Sequence, residues 1–117
     1  MPIGITEDHV ALHESVRGWV ERHCPPSVTR AGLDDAAESR PPFWTGLAEQ
    51  GWLSLAVPEA EGGSGFGVGE VVVVVEELGR ACAPGPALPT LLAIEVVRST
   101  TNADARAALL PYLAAGT

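Results

Sequence analysis

The stretch Val68-Gly69-Glu70-Val71-Val72-Val73-Val74-Val75-Glu76-Glu77-Leu78-Gly79-Arg80-Ala81-Cys82 decides the fold. Five consecutive valines carry strong strand propensity. The flanks argue the other way, because Glu70 precedes the run and Glu76-Glu77-Leu78-Gly79-Arg80-Ala81 reads as helix. An element this long is unusual for a strand and ordinary for a helix. Propensity differences of a few tenths of a kcal/mol per residue are readily overridden by burial. The stretch is therefore predicted to be a buried helix.

Toward the N-terminus, Thr6 can cap a helix running to about His23, with Glu7 and Asp8 at its positive end. Val10, Leu12, Val16, Trp19 and Val20 recur at helical spacing, opposite Glu14, Arg17 and Glu21. Pro25 and Pro26 stop it. Ser27 to Arg40 reads as loop, with a helical turn near Asp34 to Glu38. Pro41 and Pro42 open a second helix that Gly51 ends, with Phe43, Trp44, Leu47 and Ala48 on its apolar face. Trp52 to Val57 is a buried connector, and Pro58 begins a Gly-rich loop to Gly67. Beyond the valine helix, Pro84, Pro86 and Pro89 punctuate a turn, and Pro89 starts a helix to about Ser99. Asn102 caps a last helix from Ala103 to Leu110, and Tyr112 to Gly116 closes the chain. Trp19, Phe43, Leu47, Val57 and several of Val71 to Val75 are expected to share one core. The 117 residues suffice for one hydrophobic core and not for two.

Composition narrows the function. The net charge is -8, and all seven basic residues are Arg. An acidic surface repels nucleic acid and anionic lipid, so neither is expected as a partner. Without Lys there is no Walker A loop, no Schiff base and no Ser-Lys dyad. Cys24 and Cys82 form no CxxC pair, and both thiols are expected to be buried and free in a reducing, cytoplasmic setting. No signal peptide or membrane span is evident.

Each local motif is outweighed by a plainer reading. No register of Gly62 to Gly69 satisfies GxGxxG, and Gly62-Gly63-Ser64-Gly65-Phe66 lacks the last glycine of a nucleophile elbow. A structural turn is the better reading. His9 and His13 have metal-ligand spacing but no third ligand and no HExxH pattern, so no metal site is expected. Glu76 and Glu77 point about 100° apart on a helix and cannot flank one atom, so at least one is a solvated or ion-paired residue.

Three segments, taken in order, resemble the acyl-CoA dehydrogenase family: Trp52-Leu53-Ser54-Leu55-Ala56-Val57-Pro58-Glu59, Gly62-Gly63-Ser64-Gly65, and Glu76-Glu77-Leu78-Gly79-Arg80-Ala81. The opening helix and the closing Arg106 to Gly116 segment, with Leu110-Pro111-Tyr112-Leu113-Ala114 inside it, fit the same family. The resemblance implies an all-α domain, a compact orthogonal bundle of about five to six helices spanning residues 1–117. In the full enzyme it packs on a middle β-domain and a C-terminal helical domain. Those enzymes use FAD, and a carboxylate base removes the α-proton of an acyl-CoA while a hydride leaves the β-carbon. The base and most FAD contacts belong to the two later domains, so no catalytic residue is expected here, and the isolated segment is expected to be inactive. The family also implies electron-transfer flavoprotein as acceptor and a homo- or hetero-oligomer. By position, the turn after Glu76-Glu77-Leu78 corresponds to one wall of the acyl pocket, which picks out Leu88, Thr90 and Leu91 as acyl-facing. The Pro84-Gly85-Pro86-Ala87-Leu88-Pro89 run departs from the common pattern and is similar to a bacterial subgroup acting on bulky or steroid side-chain thioesters. Two other readings stand beside this: a non-catalytic acyl-CoA dehydrogenase-like subunit, and a helical interaction domain without flavin.

Overall fold

In the computed structural model, which describes residues 5–37 and 39–117, helix α1 spans Glu7–His23. Thr6 caps it: the hydroxyl accepts from the His9 amide at 3.2 Å, and His9 Nδ1 accepts from the Thr6 amide at 3.3 Å. A histidine thus fills the third-position role usually taken by Glu or Gln in a reciprocal cap. Five more helices follow: α2 (Pro26–Leu33), α3 (Trp44–Glu49), α4 (Val68–Arg80), α5 (Ala87–Ser99) and α6 (Ala103–Ala115). A 3₁₀ turn, Glu59–Glu61, lies between α3 and α4. No strand occurs among the described residues, and the valine run lies inside α4.

Four boundaries differ from the sequence reading; one is α3, expected to open at Pro41 and Pro42, which starts at Trp44 with Phe43 as its cap. Residues Pro26–Leu33, expected as loop, form α2, whereas Asp34 to Ala37 are not helical and Glu38 lies outside the described residues. The pair that ends α1 also starts α2, because a first helical turn leaves its amides unpaired and proline lacks one. Helix α5 starts two residues before Pro89, which sits in the first turn, where its missing N–H again costs nothing. Helix α6 runs through Pro111 to Ala115 instead of ending at Leu110. Leu113 and Ala114 pack on buried Leu110, and the Gly116 carbonyl accepts from buried Trp44 Nε1 at 2.7 Å, which holds the last turn in place.

The core forms two clusters. The larger gathers Val16, Trp19, Val20, Phe43, Trp44, Leu47, Trp52, Leu53, Leu55, Val74 and Leu78, with Val71 and Val75 packed against it. Trp19 organises its aromatic part, stacking on His23 at 4.4 Å and meeting Trp52 and Phe43 edge-on at 5.5 and 6.1 Å. Val57, expected in this core, instead packs with Ile94 and Leu110 in a second cluster under α5 and α6. The connector turns through Leu53 to Ala56 and bends at Val57, which lies apart from the larger cluster. Arg106 ties that second layer down: its guanidinium pairs with Glu61 of the 3₁₀ turn and donates to the Arg98 carbonyl.

Helices α1 and α4 meet along a polar seam. Glu77 is fully buried, yet it carries the densest ion pairing among the described residues. Arg17 Nη2 donates to its Oε1 at 3.1 Å and Arg17 Nε to Oε2 at 3.3 Å; Arg80 Nε donates to Oε2 at 3.0 Å; and His13 Nε2 lies 2.5 Å from Oε1. One turn before the seam's start, His9 Nε2 donates to Glu70 Oε1 at 3.0 Å, since its Nδ1 is already an acceptor. Glu21 pairs with Arg80 at 3.4 Å toward the other end. The partners occur in the same order on both helices, so α1 and α4 run parallel. Burial alone would raise the Glu77 carboxyl, but hydrogen bonds from Arg17 and Arg80, with their charge and that of His13, hold it below its ordinary range. The His9 hydrogen bond, helped by backbone amides, holds Glu70 low as well.

The Gly-rich loop folds back on the connector. The amides of Ser64, Gly65 and Phe66 donate to the carbonyls of Ser54, Val57 and Leu55 at 3.2, 2.9 and 2.8 Å. Gly63 sits so close that an added Cβ would fall 2.0 Å from the Val57 carbonyl oxygen. Only glycine fits there.

Three outcomes follow. Leu47→Ala removes a fully buried side chain and lowers stability by about 2–5 kcal/mol in chemical denaturation. Gly63→Ala lowers it more than Gly62→Ala, whose added methyl meets no atom within 4 Å and carries only the strain of a φ of +91°. The third concerns pH. A carboxylate whose pKa is depressed by folding contributes stability above its ordinary range and loses it as pH falls through the depressed value. The melting temperature is therefore flat from pH 7 to about 5 and drops below about 4.5. Glu77→Gln lowers the melting temperature at pH 7 and shrinks the difference between pH 7 and pH 3.

Candidate functional site

The turn between α4 and α5 is rigid for local reasons. Cys82, at φ +50°, closes α4: its amide donates to the Gly79 carbonyl at 3.0 Å, and the Ala83 amide donates to that of Leu78 at 2.9 Å. Glycine usually occupies this left-handed closing position, and a side chain there costs about 1 kcal/mol. Pro84 and Pro86 restrict the next residues. Gly85, at φ +104°, lies against Pro41, where a Cβ would come within 2.7 Å of the ring. The first turn of α5 is thereby fixed against α3 and its approach.

From that start, α5 presents two faces. Leu91 and Ile94 point inward, Leu91 into the larger cluster and Ile94 into the smaller. On the outer face Leu88, Leu92 and Val96 follow one another at i, i+4 and i+8 and are 51%, 58% and 70% exposed. Of the three residues picked from the sequence, Leu88 lies on this outer face, Thr90 is half-buried and Leu91 is core. Leu92 and Val96 were not picked, although the four-residue spacing of the outer face is readable in Leu88-Pro89-Thr90-Leu91-Leu92-Ala93-Ile94-Glu95-Val96. The Glu95–Arg98 pair, at 2.7 Å, borders the stripe near its far end.

The other candidate chemistry is structurally committed. His9 and His13 each pair with a different glutamate of α4. Among the described residues no group of three or more His, Cys, Asp or Glu is arranged to hold a metal. Glu76 is exposed and Glu77 buried among cations, so the adjacent carboxylates do not converge. The loop amides that a dinucleotide phosphate would require already donate to carbonyls of the chain itself. These residues do not fit an FAD site. Among the described residues, one cleft of about 440 Å³ lies beside Glu61 and Arg106 and another of that size between Cys24, Thr29 and Cys82. Of the two cysteines Cys24 is buried, as expected, but Cys82 is exposed, because α4 ends before the turn can cover it. No helix among the described residues is long and apolar enough to cross a membrane.

Comparison with known proteins shows the family. Residues 6–117 match the family model for the acyl-CoA dehydrogenase N-terminal domain. The chain is 39% identical over 90 residues to acyl-CoA dehydrogenase IpdE2 of Mycolicibacterium smegmatis, covering 76% of this chain and 29% of that protein. It is 36% identical over 102 residues to acyl-CoA dehydrogenase IpdE2 of Mycobacterium tuberculosis, covering 86% and 32%. Among solved structures it is similar to a chain of the ChsE4-ChsE5 complex from Mycobacterium tuberculosis, with a TM-score of 0.73 and 27% identity over 99% of this chain and 30% of that one. The chain thus spans about three tenths of the length of these curated relatives. With its six helices and residues 6–117 matched to that model, the chain belongs to the acyl-CoA dehydrogenase family and matches it along the N-terminal domain.

Proposed function

We propose that these residues form the N-terminal helical domain of an FAD-dependent enzyme that dehydrogenates an acyl-CoA thioester between Cα and Cβ. The observation that carries the local role is the apolar stripe Leu88–Leu92–Val96, held out on a helix whose start is locked by the Cys82 to Pro86 turn. A monomeric surface seldom leaves such a row unpartnered. Its upper end, Leu88, lies against the acyl chain, with Thr90 on the other side of the same turn of α5 and Leu91 supporting it from the core side. The rest of the stripe packs on the domains that carry FAD and the catalytic base. FAD supplies the hydride acceptor when bound; the residues described here exclude water from the thioester and limit the acyl bulk that fits. The Pro84-Gly85-Pro86 turn, where the sequence resembles a bacterial subgroup acting on bulky thioesters, supports a bulky acyl group, including a steroid side chain, over a short one. Electron-transfer flavoprotein is the proposed acceptor, and the cytoplasm the proposed location.

A second reading is favoured by the likeness to a two-component complex: a non-catalytic subunit that assembles with an active one. Flavin content separates the two. The intact protein that binds one FAD per chain and turns over acyl-CoA fits the first reading; one that carries none and acts only beside a partner fits the second.

In an active intact enzyme, Leu88→Trp lowers kcat/KM for bulky acyl-CoA substrates more than for short ones, as measured by steady-state kinetics. Leu91→Trp, placed in the packed core, lowers the melting temperature instead. An unchanged acyl preference in Leu88→Trp removes the pocket assignment and leaves the family intact.

A further inference from the structure

We propose that the cleft between the C-terminal ends of α1 and α4 and the first turn of α2 holds a redox-sensitive thiol pair, Cys24 and Cys82, that a peroxide closes into a disulfide. Both cysteines of the chain line this one cleft, with Pro25, Pro26, Thr29 and Arg80 around them. The parallel course of α1 and α4 brings the two together, because each cysteine follows the last turn of its helix.

Thr29 bridges them. Its Oγ1 donates to the Cys82 carbonyl at 3.3 Å and lies 4.0 Å from Cys24 Sγ, which can donate in turn. The two thiols differ in access. Cys82 is exposed and opens to reagents in water; Cys24 is buried. Burial pushes the Cys24 thiol up, the Thr29 contact opposes this and nearby Cys82 adds to it, so Cys24 does not react with solvent reagents on its own. That division suits one attacked thiol and one resolving thiol.

The chemistry balances in two steps. A hydroperoxide transfers one oxygen to the Cys82 thiolate, giving the sulfenic acid; the sulfur is oxidised, the O–O bond is reduced, and the hydroxide or alkoxide released takes up the proton the thiol gave to water, leaving as water or an alcohol. The Cys24 sulfur then displaces hydroxide from the Cys82 sulfenic sulfur, the S–S bond forms, and a second water leaves with the Cys24 proton. The product ties the end of α1 to the end of α4 and is reversed by a dithiol reductant.

The test uses the intact protein, reduced, freed of reductant and titrated with hydrogen peroxide, then denatured in iodoacetamide. Expected is a mass loss of two hydrogens, about 2 Da, with the Cys24 and Cys82 peptides linked and neither alkylated. Dithiothreitol restores two alkylatable thiols. In Cys24→Ser, Cys82 accumulates as sulfenic acid that dimedone traps; in Cys82→Ser, Cys24 stays reduced at the same peroxide dose. The proposal is overturned if wild-type Cys82 gains oxygens while Cys24 remains alkylatable, or if the linked species joins Cys82 of two molecules.

Discussion

A single buried carboxylate sets the terms for the larger half of this domain. Glu77 has no access to water, so its charge persists only while Arg17, Arg80 and His13 surround it. Removing a charge from water costs several kcal/mol, and only close, well-directed partners offset that cost. The seam therefore tolerates one register of α1 against α4. A slip by one turn would leave Glu77 beside apolar atoms and strand the arginines. Apolar packing supplies most of the stabilisation on either side, since Val16, Val20, Val74 and Leu78 flank the seam. The ionic contacts select which packing occurs. This accounts for the Glu-Glu-Leu sequence in physical terms: an exposed residue, a charge hub and a core residue in succession.

Much of this architecture was legible from residue order. Element length and flanking charge correctly outvoted the strand preference of Val71 to Val75, because a helix buried along one face accepts β-branched residues at small cost. Thr6, Asn102, Gly51 and the Trp52 to Val57 connector also announce themselves, each through local backbone demands. What stayed hidden depends on contacts between distant residues. Helix α2 is only eight residues long and buries none of them, and its Thr29 hydroxyl finds its partners on the far side of the cleft, at Ala81 and Cys82. The continuation of α6 past Pro111 rests on Trp44 and Gly116 meeting, and no spacing rule foretells that. The division of the core, with Val57 in the lesser cluster, is equally a product of tertiary geometry.

The candidate site divides the same way. That the turn after α4 would matter was visible in its prolines, whereas the orientation of Leu88, Thr90 and Leu91 required the phase of α5. One residue's shift in the helix start moves a side chain by about 100° around the axis, enough to exchange an outward for an inward position. Pro89 was the natural choice for that start, and the actual start two residues earlier fixes the phase by way of Pro86 and Gly85. A proline marks the neighbourhood of a helix beginning better than its first residue.

The parallel pairing of α1 with α4 also bears on how the chain reaches this state. Its defining contacts join residues separated by 60 and 61 positions. An up-and-down bundle of the same size closes each interface across a short turn; here the first helix must wait until α2, α3 and the connector have been traversed. Loop closure over such a span is entropically expensive before any contact rewards it. The domain is accordingly expected to fold more slowly than a simple helical bundle, because α1 and α4 cannot pair until the segments between them are in place. During synthesis, α1 leaves the ribosome well before Glu77 exists to receive Arg17, and the side of α1 that α4 will cover stays open through that interval.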